Sequence, residues 1–331
     1  MQDCHGRTID YIRISVTDKC NLRCVYCMPE KSVTEKAHCD REQQILTQDE
    51  LERLCRCFAR LGISKIKITG GEPLMRRDVT ALISRLKAVP GIDNLTLTTN
   101  GVLLKEQLPY LVEAGVDAVN ISIDSLDEQS YEQISRRKEL KRTLEGIEAA
   151  LSYPDLVVKI NCVPLKGMND RQLADIALLA KTRNIHVRFI EMMPIGFGKQ
   201  FACQTEEEIK HILEAELGKE LTPYKGRLGN GPSHYYSVEG FQGKLGFISA
   251  VSHKFCSECN RVRLTCGGFL KTCLQYNIGC DLLALLRGGA SDEQLTDAVY
   301  QTIYNKPLCH HFDEPAADSD TEQRSMSEIG G

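Results

Sequence analysis

The sequence predicts an α/β protein: an incomplete, TIM-like (β/α)6 barrel followed by a smaller α+β extension. Short β-rich runs alternate with amphipathic helical patterns from the N-terminus to about residue 201, the order expected of a parallel sheet with crossover helices. The alternation stops after six units, short of the eight that close a barrel. After residue 218 the texture changes to a Gly- and Pro-rich loop and isolated short strands.

The strand-like runs cover residues 11–16, 65–69, 94–99, 118–123, 157–163 and 186–192. Helical patterns cover 47–61, 78–89, 104–114, 140–151 and 170–183. Thr47-Gln-Asp-Glu50 reads as a capping box, and Gly62, Gly91 and Gly115 stand where left-handed C-caps are expected. A helix over 205–217 closes a first domain set at 1–218. Residues 221–233 read as a loop, 234–238 and 244–250 as strands, 282–286 and 292–304 as helices, giving an extension over 219–314. Residues 315–331 are polar and weakly patterned, and read as a flexible tail ending in Gly330-Gly331.

The 331 residues are 42% apolar and 26% charged, ordinary for a globular chain. A net charge of −4 provides no overall basic field for nucleic acid or a membrane surface. No apolar stretch is long enough to span a bilayer, and residues 1–10 lack the apolar segment of a signal peptide. A cytoplasmic location is therefore expected. In a reducing compartment, 15 cysteines point to metal ligation rather than disulfides. The scattered ones, Cys4, Cys39, Cys55, Cys57, Cys162, Cys203 and Cys309, read as small core or surface residues.

Two cysteine groups stand out. Cys20-Asn-Leu-Arg-Cys24-Val-Tyr-Cys27 places three thiols directly after the first strand. Zinc usually takes four ligands. A cubane iron–sulfur cluster held by three thiolates keeps one iron open, which an amine and a carboxylate can chelate. The C-x3-C-x2-C spacing, with Tyr26 before the last cysteine, resembles the radical S-adenosylmethionine superfamily. Its companion is Thr69-Gly70-Gly71-Glu72-Pro73 at the end of the second strand, where two glycines allow close backbone approach to a ligand. Later strand ends add Thr98, Ser122 and Asp124, each a turn former when taken alone. Met193 follows the sixth strand, placed either to pack on adenine or to fill the core.

The second group is Cys256-Ser-Glu-Cys259-Asn-Arg261-Val262-Arg263, followed by Cys273. Cys266 and Cys280 compete as ligands, and spacing alone leaves zinc and iron–sulfur both open. Arg261 and Arg263 favour an anionic ligand. Together with the terminal Gly330-Gly331, this stretch resembles the molybdenum-cofactor biosynthesis protein A family, the GTP 3′,8-cyclases, from about residue 10 to the end.

The resemblance implies two [4Fe-4S] clusters, one at Cys20, Cys24 and Cys27 and one in the extension at Cys256, Cys259 and Cys273. It implies S-adenosylmethionine held by Tyr26, Gly71, Ser122 and Met193. GTP would be surrounded by Arg13, Lys67, Thr98, Lys159, Arg188 and the stretch 261–263 including Val262. Arg13, Arg261, Arg263, Gly330 and Gly331 would serve the reaction itself. Lys67 stands where many relatives would carry Arg, which keeps the charge and loses the fork. The implied chemistry is a 5′-deoxyadenosyl radical taking the 3′ hydrogen of GTP, after which C3′ attacks C8. A low-potential electron donor and a downstream cyclic pyranopterin monophosphate synthase are the implied partners. The sequence is silent on oligomeric state, and a homodimer is compatible with it. The rivals are a peptide-maturing radical enzyme with an auxiliary cluster and a zinc-ribbon protein, the second disfavoured by the acidic charge.

Overall fold

Alternating apolar and polar residues along each β-rich run give the sheet two unlike faces. The computed structural model describes residues 1–30, 44–312 and 321–330. Strands β1 (Tyr11–Ser15), β2 (Lys65–Thr69), β3 (Asn94–Thr99), β4 (Ala118–Ser122), β5 (Val157–Cys162) and β6 (His186–Ile190) pair in parallel in chain order. Between them run α1 (Gln48–Arg60), α2 (Val79–Lys87), α3 (Leu104–Glu113), α4 (Glu128–Ser135), α5 (Leu140–Leu151) and α6 (Leu173–Leu178). The α1 capping box forms, with Thr47 N–H donating to Glu50 at 2.8 Å and Glu50 N–H to Thr47 Oγ1 at 3.2 Å. Sequence reading missed α4, a short helix that shares its strand-to-strand crossover with α5.

After β6 come α7 (Glu206–Leu217), β7 (Thr222–Tyr224), β8 (His234–Ser237) and β9 (Leu245–Ile248). Then follow β10 (Arg261–Leu264), β11 (Phe269–Lys271), β12 (Gly279–Asp281), α8 (Leu282–Arg287), α9 (Asp292–Tyr304) and α10 (Met326–Ile329). The strands between residues 222 and 281 extend both edges of one mixed twelve-stranded sheet, ordered β12-β11-β10-β1-β2-β3-β4-β5-β6-β9-β8-β7. β10 lies parallel to β1 and β9 parallel to β6. Among the described residues no helix is long and apolar enough to cross a membrane.

One sheet face packs on the helices. Ile12, Ile66, Leu97, Ile121, Ile160 and Phe189 join a single core with Leu54 of α1, Leu82 of α2, Leu108 of α3 and Ile147 of α5. Each fully buried aliphatic side chain contributes about 1.5–3 kcal/mol of transfer free energy. The alternate residues on the same strands point the other way and make a polar wall.

The expected mobile tail meets a packed segment at 321–330; residues 315–320 and Gly331 lie outside the described residues. Lys271 is fully buried and donates to the Glu322 carboxylate and, at 2.6 Å, to Tyr276 O. Arg324 Nη2 adds a bond to Glu322 at 2.9 Å. Ile329, 1% exposed, enters the interior. Composition hides this because the segment is held by polar ties to remote residues, a buried ion pair to Lys271 among them, rather than by an apolar stripe.

Burial alone would raise the Glu322 pKa, but Arg324 and Lys271 outweigh it and hold the group at about 2. Its contribution is present above the ordinary carboxylate pKa of 4.5 and is lost as pH falls toward about 2. Glu322→Ala leaves Lys271 buried without its counter-charge and is expected to cost about 3–5 kcal/mol. Urea unfolding of the metal-free chain at neutral pH measures this; an unchanged midpoint would show no net contribution.

Candidate active site

The polar sheet face lines a cavity of about 600 Å³. The two cysteine groups stand at its opposite ends. Cys20, Cys24 and Cys27 follow β1 and so lie at the C-terminal ends of the parallel strands, with Cys27 N–H turned back onto Cys24 O at 2.9 Å. Cys256 and Cys259 precede β10, which runs parallel to β1. The Asp10 and Tyr11 N–H groups both reach Asn260 O at 3.2 Å, fixing this group at the N-terminal ends. Cys273 follows β11, antiparallel to β10, and returns to the same end. Motifs are therefore not confined to loops after strands, as barrel reasoning would have them.

The competing thiols are separated by the same geometry. Cys266 follows β10, at the far end beside Ser15. Cys280 lies in β12 against Thr302 of α9. Neither lines the cavity, whereas Cys256, Cys259 and Cys273 do.

At the first end, Gly70 and Gly71 are required by the protein's own backbone. A Cβ at Gly71 would stand 2.5 Å from Lys19 O and 2.6 Å from Asp18 O, and one at Gly70 2.7 Å from Thr17 O. The loop leading to Cys20 thus docks main chain to main chain, with Gly71 N–H bonded to Thr17 O at 2.7 Å. Glu72, 1% exposed, turns inward and accepts from Thr99 Oγ1 and Asn100 N–H, both at 2.7 Å. Burial lifts its pKa to about 7 against those bonds. Asn100 Nδ2 points at Cys20 Sγ, 3.8 Å away. Tyr26 donates to Asp124 at 2.6 Å, and burial holds Asp124 up at about 6. Tyr26, Gly71, Ser122 and Met193 all line the cavity. The thiols here are pushed up, mainly by burial, Cys20 to about 11 and Cys27 to about 12.

Along the wall, Arg13 is registered beside both Lys67 and Arg263, and Asn120 beside Lys159. Lys67 is 8% exposed; burial and then Arg188, Arg13, Lys159 and Arg261 drive its pKa well below normal. Burial and Arg188 lower Lys159 to about 8. Burial, Arg13 and Arg261 depress Arg263. Arg188 Nη2 donates to Asn120 Oδ1 at 2.7 Å and to Asn161, while its buried Nε finds no partner among the described residues. Lys159 donates to Leu228 O. These partners are neutral oxygens, so the wall carries net positive charge.

Arg261 and Thr98 also face the cavity, but the Val262 side chain does not. It is 0% exposed in the core on the other sheet face, because strand side chains alternate. At Cys259 burial works to raise the pKa, yet Lys306, Arg261 and Arg7 outweigh it and leave about 7.

The C-terminal segment reaches this cavity. Arg263 Nη1 donates to Gly330 O at 2.5 Å. A side chain at Gly330 would meet Ser15 Cβ at 2.8 Å and Thr69 Oγ1 at 2.9 Å, and its φ of +90° also favours glycine. The Ser327 N–H lies on the Cys27 thiol. Gly331 lies outside the described residues.

Sequence reading missed Arg7. Its Nε donates to Asp3 at 2.6 Å, its Nη1 to Cys256 O at 2.9 Å and Leu308 O at 2.7 Å, and its Nη2 to Pro307 O at 2.7 Å. No local signal could reveal acceptors about 250 and 300 residues away.

A family model described as Radical SAM superfamily matches residues 14–180, and one described as Molybdenum Cofactor Synthesis C matches 185–312. A curated GTP 3′,8-cyclase of Clostridium perfringens (strain SM101 / Type A) is 45% identical over 331 residues, covering all of both chains. Those of Syntrophomonas wolfei and Pelotomaculum thermopropionicum are 44% and 42% identical, again over full length. Among solved structures, Streptococcus suis SuiB bound to S-adenosylmethionine superposes with a TM-score of 0.56 at 14% identity over 92% of this chain. The match spans 66% of the SuiB chain and speaks for the fold. On the sequence relatives and family models, the chain belongs to the radical SAM superfamily and, within it, to the GTP 3′,8-cyclase family.

Proposed function

We propose that this chain converts GTP, with S-adenosylmethionine, into (8S)-3′,8-cyclo-7,8-dihydroguanosine 5′-triphosphate, the first step of molybdenum cofactor biosynthesis. The carrying observation is a wall of buried, mutually repelling cations between two thiol triplets in one cavity. Such a wall suits a polyanion. A triphosphate brings about as much negative charge as the whole chain has net.

The donor sets fit two clusters. Each end offers three soft thiols, and every described cysteine is free. Among the described residues no three His, Cys, Asp or Glu side chains converge on a single metal ion. A cubane asks for something wider, since each thiolate takes a different iron. Cys20, Cys24 and Cys27 would hold one cluster, and Cys256, Cys259 and Cys273 the other. When bound, the first cluster and S-adenosylmethionine supply the electron and the radical that start the reaction. β1 to β6 would form an incomplete (β/α)6 barrel, with the second cluster on its flanking strands. The enzyme would work in the cytoplasm, take electrons from a low-potential donor and pass its product to a cyclic pyranopterin monophosphate synthase.

The chain's own task is positioning. Arg13, Lys67, Lys159, Arg188 and Arg261 would grip GTP, relieving the repulsion among them. Tyr26, Gly71, Ser122 and Met193 would hold S-adenosylmethionine at the other end, with Tyr26 fixed by Asp124. Arg263 and Gly330, which it holds, would close the space between, excluding water from the reacting ribose.

An anaerobic incubation of the iron-loaded chain with GTP, S-adenosylmethionine and dithionite tests the function directly. Cyclic nucleotide by mass spectrometry is expected, and unconsumed GTP would overturn the reading. Cys24→Ala should lower iron from about eight to about four per chain, abolish S-adenosylmethionine cleavage and leave GTP binding intact. Loss of GTP binding with cleavage preserved would reverse the two sites.

Arg188→Ala should weaken GTP binding roughly 10- to 100-fold, the loss of a charge-assisted contact. The melting temperature should hold or rise, because one repelling charge is gone. A lower melting temperature with unchanged affinity would make Arg188 structural. Deleting Gly330 and Gly331 should spare iron content and GTP affinity but cripple cyclisation. Turnover at the full-length rate would show that the terminus plays no part.

A further inference from the structure

Cys309 does not belong with the scattered thiols. It lines the same cavity as Cys256, Cys259 and Cys273. Three ties strap its segment to theirs. Arg7, 7% exposed, bonds Cys256 O and Leu308 O with one nitrogen, joining the residue before Cys309 to a member of the group. The His310 N–H, on its other side, donates to the Cys256 thiol. Lys306, 3% exposed, donates to Thr272 O, the residue before Cys273. Segment 306–310 is therefore pinned along both halves of the second group, with a half-buried thiol at its centre. The Cys309 Sγ itself lies 3.5 Å from His311 Nε2, a contact that a bond to iron would replace.

We propose that Cys309 is a fourth thiol ligand of the second cluster in the nucleotide-free protein, closing the iron that three cysteines leave open. The proposal rests on the two-cluster reading above. In forming the bond the thiol releases its proton and its sulfur donates an electron pair to iron, with no change of oxidation state. When GTP takes the iron, the Fe–S bond breaks and the thiolate regains a proton. The resting cluster is thereby protected, since a cubane with an open iron readily loses that iron on oxidation.

The test uses the full-length chain carrying Cys24→Ala, loaded anaerobically so that only the second cluster remains, with and without Cys309→Ser. Each is treated with ferricyanide in the absence of nucleotide, and the three-iron signal is read by electron paramagnetic resonance. Both should bind about four irons. The signal should be several-fold larger in the Cys309→Ser protein. Equal signals from equally loaded proteins would overturn the proposal. Absence of iron from the Cys24→Ala chain would instead overturn the two-cluster reading, and the proposal with it. Alkylation of the unsubstituted protein by iodoacetamide, mapped by peptide mass, is an independent readout. Cys309 should react in the cluster-free chain and be protected in the loaded one; equal labelling in the two would also refute the idea.

Discussion

Repulsion among buried cations is the constraint on which the site is arranged. Arg13 sits directly between Lys67 and Arg263 on neighbouring strands, and Arg188, Lys159 and Arg261 face the same space. Like charges opposite one another destabilise a sheet. Burial deepens the penalty by removing water. The other face of the same strands is continuous aliphatic core, whose burial offsets this cost. Neutral oxygens from Asn120, Asn161, Leu228 and Gly330 take up some of the donors without cancelling the charge. The uncancelled charge gives the cavity a positive wall despite an acidic chain.

The alternation of period two explains why so much was readable in the sequence. Ile66, Lys67, Ile68 and Leu95, Thr96, Leu97 state both the strand and the destination of each side chain. A charge flanked by aliphatics in such a run has one place to go, the far sheet face. The same rule applied to 261–263 puts Arg261 and Arg263 on one side, as found, and sends the Val262 side chain into the core, where it lies. The family resemblance groups Val262 with the two arginines around GTP.

What stayed hidden was set by distance along the chain. Nothing near residue 261 announces that β10 will lie beside β1, nor that β9 will lie beside β6. Without those pairings the second cysteine group cannot be assigned to the N-terminal strand ends, and only the family resemblance, not spacing, favours Cys273 over Cys266. The glycine pair at 70–71 was legible as a close approach, but the main chain at 17–19 packed against it, far away in sequence, was not. The tail misled because its anchors are polar ties to remote groups, the ion pair to Lys271 and the Arg263 bond to Gly330 O among them. Arg7 was silent for the same reason: its acceptors are supplied by remote segments.

The β1–β10 pairing has a further consequence for biogenesis. On the ribosome, the first cysteine triplet emerges early, with β2 to β6 following to build one side of the sheet. The outer edge of β1 stays bare until residue 261 has been made. An open strand edge is a template for another chain, and slow, non-local pairing prolongs that exposure. Arg7 waits longer still, since its acceptors include the carbonyls of residues 307 and 308. Iron delivered to the nascent chain would meet one complete set of thiols and an unfinished second one.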